Sequence, residues 1–187
     1  MPHYYFDIET TGLDSDKDEI ISIQFQKILL ESGRPEAPLT ILTSWEKGSS
    51  ELKILEKVYP LIASPNPWKF VPVGNNLNFE FKFLLSKIAR NLGIQIEPLY
   101  FHSRPHIDLK HVMILLNGGR FKGYHLILKK MGSGINVPVW YRSKEYEKII
   151  EYIQMEAKAF TDFYTDIHRL LFHRHLQPLT ITGKEVI

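Results

Sequence analysis

Tyr4-Tyr5-Phe6-Asp7-Ile8-Glu9-Thr10-Thr11-Gly12-Leu13 decides how this chain is read. Tyr, Phe and Ile favour strands and Gly12 breaks them, so the stretch predicts a strand ending in a turn. Residues i and i+2 of a strand share a face. Asp7 and Glu9 therefore project side by side, with Phe6 and Ile8 on the other face. Two carboxylates on so apolar a strand repel each other and are costly to desolvate. A bound cation is the usual remedy. The alternative is an exposed edge strand with two solvated acids, and the apolar flanks weigh against it.

Two more strand-like runs follow, about 19–28 and 39–45, after short turn-rich segments at 13–18 and 31–35. Links this short suit antiparallel neighbours, because a parallel crossover needs about a dozen residues or more. In the first of these runs Ile21, Ile23 and Phe25 alternate with Ser22, Gln24 and Gln26, which predicts one buried face and one polar face. Residues 50–62 predict a helix with Ser49 or Ser50 as N-cap, ended or bent by Pro60. A short strand at 70–73 leads through Gly74 to a second helix over 78–92, closed by Gly93. Helices are expected over 107–116 and 124–131, and a linker or small strand around Pro138 and Trp140. A long last helix over 143–174 carries the apolar stripe Ile149, Ile153, Ala157, Phe160, Tyr164, Ile167 and Leu171. The tail 178–187 reads as a strand or as irregular chain. This order predicts an α/β fold, a mixed sheet with its first three strands antiparallel, flanked by helices.

The 187 residues suit a single domain over 1–187, and the 44% hydrophobic fraction suffices for a sizeable core. Without cysteine there is no disulfide, thiolate zinc site or cysteine nucleophile. No apolar run is long enough to span a bilayer, and no signal peptide is visible, so a cytoplasmic, intracellular protein is expected, with no membrane partner. A net charge of +2 does not announce nucleic-acid binding by itself. An acidic pocket would leave basic residues in local excess elsewhere, which suits a polyanion lying across a cation site.

Two further acidic segments echo the first. Val73-Gly74-Asn75-Asn76-Leu77-Asn78-Phe79-Glu80 ends a strand and puts Glu80 in the first turn of a helix, where the helix dipole alone would favour an acid. Tyr152-Ile153-Gln154-Met155-Glu156 puts a phenol and a carboxylate on one helical face, beside the apolar stripe. Taken singly, the first reads as an ordinary acid at a helix start and the second as a rim tyrosine with a solvated glutamate. Together, Asp-x-Glu-Thr-Thr-Gly-Leu, Asn-x-x-Phe-acid and Tyr-x-x-x-acid resemble the DEDD superfamily of 3′–5′ exonucleases, in its tyrosine branch, over residues 7–156. Phe6 to Leu13 match the first motif without a gap, whereas the other two motifs are short. The family has Asp where this chain has Glu80 and Glu156, so each of those arms is one methylene longer.

The resemblance implies a ribonuclease-H-like fold and metal-dependent hydrolysis of single-stranded nucleic acid, DNA or RNA, from a free 3′ end to nucleoside 5′-monophosphates. It implies two divalent ions, Mg²⁺ or Mn²⁺, with Asp7 bridging them. Glu9 and Glu156 would complete the nucleophile side, and Glu80 would hold the other ion directly or through water. Tyr152 would orient the attacking water, since a phenol with a pKa near 10 is a poor base at neutral pH. The backbone at Thr10 and the Leu13 side chain would meet the terminal nucleotide, with Asn76 a further contact. Replication, repair or RNA-processing proteins are the implied partners. A catalytically silent nucleic-acid- or partner-binding module of the same fold is the alternative reading. Asp108 reads as a structural acid at a helix start, and 118–123 as a plain loop. His168-Arg169 and His173-Arg174-His175 read as a basic, solvated face. Trp140 reads as core packing or, with Tyr141 and Arg142, as a stacking surface.

Overall fold

In the computed structural model, which describes residues 2–120 and 134–173, the opening stretch is the central strand β1 (His3–Thr10). It pairs antiparallel with β2 (Ile20–Ile28), which pairs antiparallel with β3 (Thr40–Thr43). On its other side β1 runs parallel to β4 (Val71–Gly74), and β4 runs parallel to β5 (Ile107–Asp108). The order is β3-β2-β1-β4-β5. The parallel pairs need crossovers, supplied by α1 (Glu51–Ile62) before β4 and α2 (Asn78–Leu92) before β5. α3 (Leu109–Leu116), α4 (Val137–Arg142) and the long α5 (Tyr146–His173) follow. This is the expected α/β class, a ribonuclease-H-like mixed sheet between helices.

Alternation along β1 divides the core. Phe6 and Ile8 face α1 and α2 and pack with Ile23, Leu55, Phe81 and Leu84. Tyr5 faces the other way, against Phe160, Ala157 and Tyr164 of α5 and Leu109 of α3. Burying each such large apolar side chain stabilises the fold by about 1.5–3 kcal/mol. Asp7 and Glu9 lie on the Tyr5 side, so the strand directs both acids toward α5.

Local signals explain most boundaries. Ser50 caps α1 by accepting from the Lys53 amide, and Pro60 lies near the helix end, inside the last turn. Gly93 closes α2 at φ +68, the left-handed conformation glycine adopts without strain.

Several parts of the fold depart from expectation. The polar face of β2 is not solvated, because Ser22 and Gln24 are fully buried. A bulge lets Glu9 pair with Ser22 but Thr10 with Ile20, and this sends Ile21 to the side opposite Ile23. Residues 107–108 form a strand, and the helix starts only at Leu109. Pro138 sits in the first turn of α4 rather than in a linker, a position where its missing N–H costs nothing. Leu171, at the end of the predicted stripe, is exposed. The expected helix at 124–131 and the tail at 178–187 lie outside the described residues.

Candidate functional site

Asp7 is held from the sheet side. Gln24, its register partner on β2, donates from Nε2 to Asp7 Oδ2 at 2.8 Å, and the Tyr5 hydroxyl donates to the same oxygen at 3.3 Å. Ser22 Oγ donates in turn to Gln24 Oε1 at 3.2 Å, which fixes the amide's orientation. Burial, reinforced by Asp7, Glu156 and Glu9, pushes the Tyr5 pKa well above its usual value, so it remains a donor.

The turn after β1 is closed by its own hydroxyls. Thr10 Oγ1 donates to the Gly12 carbonyl at 2.5 Å, and Thr11 Oγ1 accepts from the Glu19 amide. Asp18 accepts from the Asp14 amide at 2.9 Å, and its carboxylate occupies the space a Gly12 side chain would need. This tight turn leaves Leu13 83% exposed at the rim of the site.

α5 brings the third acid. Carboxylate oxygens of Asp7, Glu9 and Glu156 lie within 4.8 Å of one another. Tyr152, one turn earlier, is buried among Ile21, Val137, Ile149 and Ile153, with Trp140 packed on its ring. Burial drives the Tyr152 pKa far above the usual tyrosine value. Glu156 and Glu9 act in the same direction, as does a hydrogen bond with Glu156.

Glu80 enters from the first turn of α2. It is 4% exposed, and its Oε2 has no hydrogen-bond partner. Burial first, then the neighbouring Asp7 charge, raises its pKa well above the usual carboxyl range. Asp108 is the contrasting acid. It caps α3 by accepting from the Lys110 amide at 3.0 Å, and accepts from the Asn76 and Leu77 amides at 2.9 Å each. It is the structural acid the sequence suggests, and it pins the turn that launches α2 toward β1. In that turn Asn76 takes φ +67, and its side-chain oxygen accepts from Lys110 Nζ at 2.7 Å.

Asp7, Glu9, Thr10, Leu13, Asn76, Glu80, Tyr152 and Glu156 all line one cavity of about 490 Å³. Gln24, Tyr5, Asn75 and Gly134 do not stand out in the sequence as site residues. Gln24 supports Asp7, Asn75 lines the cavity with a buried, unpartnered Oδ1, and Gly134 closes over Tyr152. Only Gln24 carries a signal, a buried-strand amide opposite Asp7, and reading it requires the β1–β2 register. His168 is not on a solvated face. It is 8% exposed, and its Nε2 meets the Leu30 carbonyl at 2.6 Å, because α5 turns that edge toward the loop after β2. Arg169 is exposed and pairs with Asp166.

Three clustered carboxylates beside a buried carboxyl oxygen lacking a donor are an all-oxygen set that fits a hard divalent cation. Among the described residues, no helix is long and apolar enough to cross a membrane.

No protein-family profile and no curated protein sequence matches this chain. Solved structures do match it. The zinc-bound form of an E. coli ExoI–ssDNA complex aligns at TM-score 0.59 and 14% identity, over 94% of this chain and 41% of that one. A moderately thermophilic Exonuclease I from Methylocaldum szegediense aligns at TM-score 0.51 and 18% identity, over 65% and 30%. An apo Exonuclease I aligns at TM-score 0.50 and 15% identity, over 65% and 32%. The chain therefore spans well under half the length of these structures, and the likeness is one of fold.

Proposed function

We propose that this protein is a metal-dependent 3′–5′ exonuclease of the tyrosine-type DEDD class, releasing nucleoside 5′-monophosphates from single-stranded DNA or RNA. One observation carries the reading: eight residues from three separate sequence segments line the same acidic cavity. The fold shared with an exonuclease bound to single-stranded DNA supports it.

Asp7, Glu9 and Glu156 would hold one divalent ion, and Asp7 with Glu80 a second, Mg²⁺ or Mn²⁺ by donor type. Such ions supply positive charge to a phosphodiester and lower the pKa of a water. The remaining work falls to the chain. Gln24 and Tyr5 keep Asp7 in one orientation. Tyr152, held neutral, orients the attacking water through its hydroxyl rather than deprotonating it. Leu13 offers an apolar contact to the terminal nucleotide, and Asn76 a polar one. The longer Glu80 and Glu156 arms would reach into the cavity from α2 and α5.

The test uses 5′-labelled single-stranded DNA and RNA, with free and blocked 3′ ends, in Mg²⁺ or Mn²⁺. A ladder that disappears with the block and in Asp7→Asn is the expected result. Cleavage of blocked strands would point to an endonuclease, and binding without cleavage under either metal would make the protein a silent module.

A further inference from the structure

Gly134 opens a 3-10 turn, Gly134–Asn136, that leads into α4 and passes over the phenol of Tyr152. A Cβ built on Gly134 would lie 3.1 Å from Tyr152 Oη, 3.8 Å from its Cζ and 3.9 Å from Glu9 Oε2. The last two are ordinary van der Waals distances; the first is too short for a comfortable carbon–oxygen contact. A 3-10 turn is right-handed and alanine adopts it readily, so glycine is not required by the backbone here. It is required by the space in front of one hydroxyl. The ring has little room to retreat, because Tyr152 is 4% exposed and packed between Trp140 and the apolar side chains of α4 and α5.

We infer that Gly134 is a positioning residue for the Tyr152 hydroxyl. Its missing side chain lets the chain close over the phenol while the hydroxyl keeps its place beside Glu9 and Glu156. The inference rests on the role proposed for Tyr152, but its geometry is independent of that role. Gly134 belongs to none of the three motifs and is contributed by the segment between α3 and α4.

A double-mutant cycle tests it, with Gly134→Ala, Tyr152→Phe and the pair. Removing the hydroxyl removes the 3.1 Å contact and leaves only the ordinary ones. In the parent, Gly134→Ala should lower kcat by about 5- to 20-fold with KM little changed, a coupling of the size expected for residues in contact. It should also lower the thermal midpoint by a few degrees, measured without metal. In the Tyr152→Phe background the same change should leave residual kcat unaltered and leave or raise the midpoint, because alanine loses less chain entropy than glycine on folding. Equal effects in both backgrounds, or none in the parent, would overturn the inference. If Gly134→Ala alone fails to fold, a folded double variant supports it and an unfolded one sinks it. If Tyr152→Phe leaves kcat intact, the proposed role of the phenol fails, and the midpoints still decide whether Gly134 senses the hydroxyl.

Discussion

At the His3 end of β1, the Tyr164 hydroxyl of α5 shares a 2.8 Å hydrogen bond with His3 Nδ1. At the Glu9 end of the same strand, the Tyr152 hydroxyl of the same helix stands among carboxylates. Both phenols are pushed toward higher pKa. Burial alone does so at Tyr164, whereas at Tyr152 burial is joined by Glu156, Glu9 and Asp7. At the His3 end burial first, then the N-terminal amine and His168, lowers the His3 pKa, which favours the neutral imidazole, and Tyr5–Phe160 ring packing lies between the two ends. The contrast separates a clasp from a site. One crossing of β1 and α5 matches its polar groups to each other, and the other gathers like charges that a cation would relieve.

Asp7→Asn probes that contrast hardest. Hydrolysis should fall by at least about a thousand-fold, about 4 kcal/mol of barrier, with the protein still folded. A labelled-strand assay reads the loss of hydrolysis, and disappearance of the Mn²⁺-induced rise in thermal midpoint reads the loss of metal from a folded chain. Retained activity would remove Asp7 from the centre of the site.

Tyr152→Phe should lower kcat by about 10- to 100-fold, the range for groups that orient rather than react, and should not shift the pH–rate profile near neutrality. A limb on which activity rises with pH in the parent and which is lost in Tyr152→Phe would instead make the phenol a proton acceptor.

Glu80→Gln addresses pH. The raised native pKa means that above the ordinary glutamate range the native state holds a proton the unfolded chain has released, so the metal-free protein should lose stability as pH rises toward that native value. The glutamine variant should lack this slope and be more stable at neutral pH by about 1–2 kcal/mol. Urea unfolding across pH without metal measures it, and an unchanged slope would place the proton elsewhere.

Tyr164→Phe is the mildest. It should cost about 0.5–1.5 kcal/mol of stability through the lost His3 hydrogen bond and leave kcat per folded molecule unchanged. A fall in kcat comparable to that of Tyr152→Phe would mean the two ends of β1 are not separate.

Much of the fold and of the candidate site is legible in the sequence. Alternation in Phe6-Asp7-Ile8-Glu9 puts both acids on one face, and the i, i+4 spacing puts Tyr152 beside Glu156. The helix at 78–92 and the glycine after it follow from periodicity and a breaker. Ser22 and Gln24 look solvated in the sequence and are buried in the fold, because alternation reports polarity, and polar faces are also buried where they support a charged site. The bulge at Ile21 leaves no sequence signal, since it depends on how β2 meets β1. Composition places His168 on a basic face, whereas the loop that packs on α5 sets its actual position.

The sequence by itself determined the α/β class, the antiparallel start of the sheet and the acids that share a strand or a helix face, because those follow from periods of 2 and 3.6 residues within one element. The tertiary structure alone decided that Asp7, Glu9 and Glu156 converge, that Glu80 is buried with its Oε2 unpartnered while both oxygens of Asp108 are bonded, and that Gly134 faces Tyr152. Those are distances between elements far apart in the chain, and they are set by how the two faces of β1 pack rather than by any spacing along it.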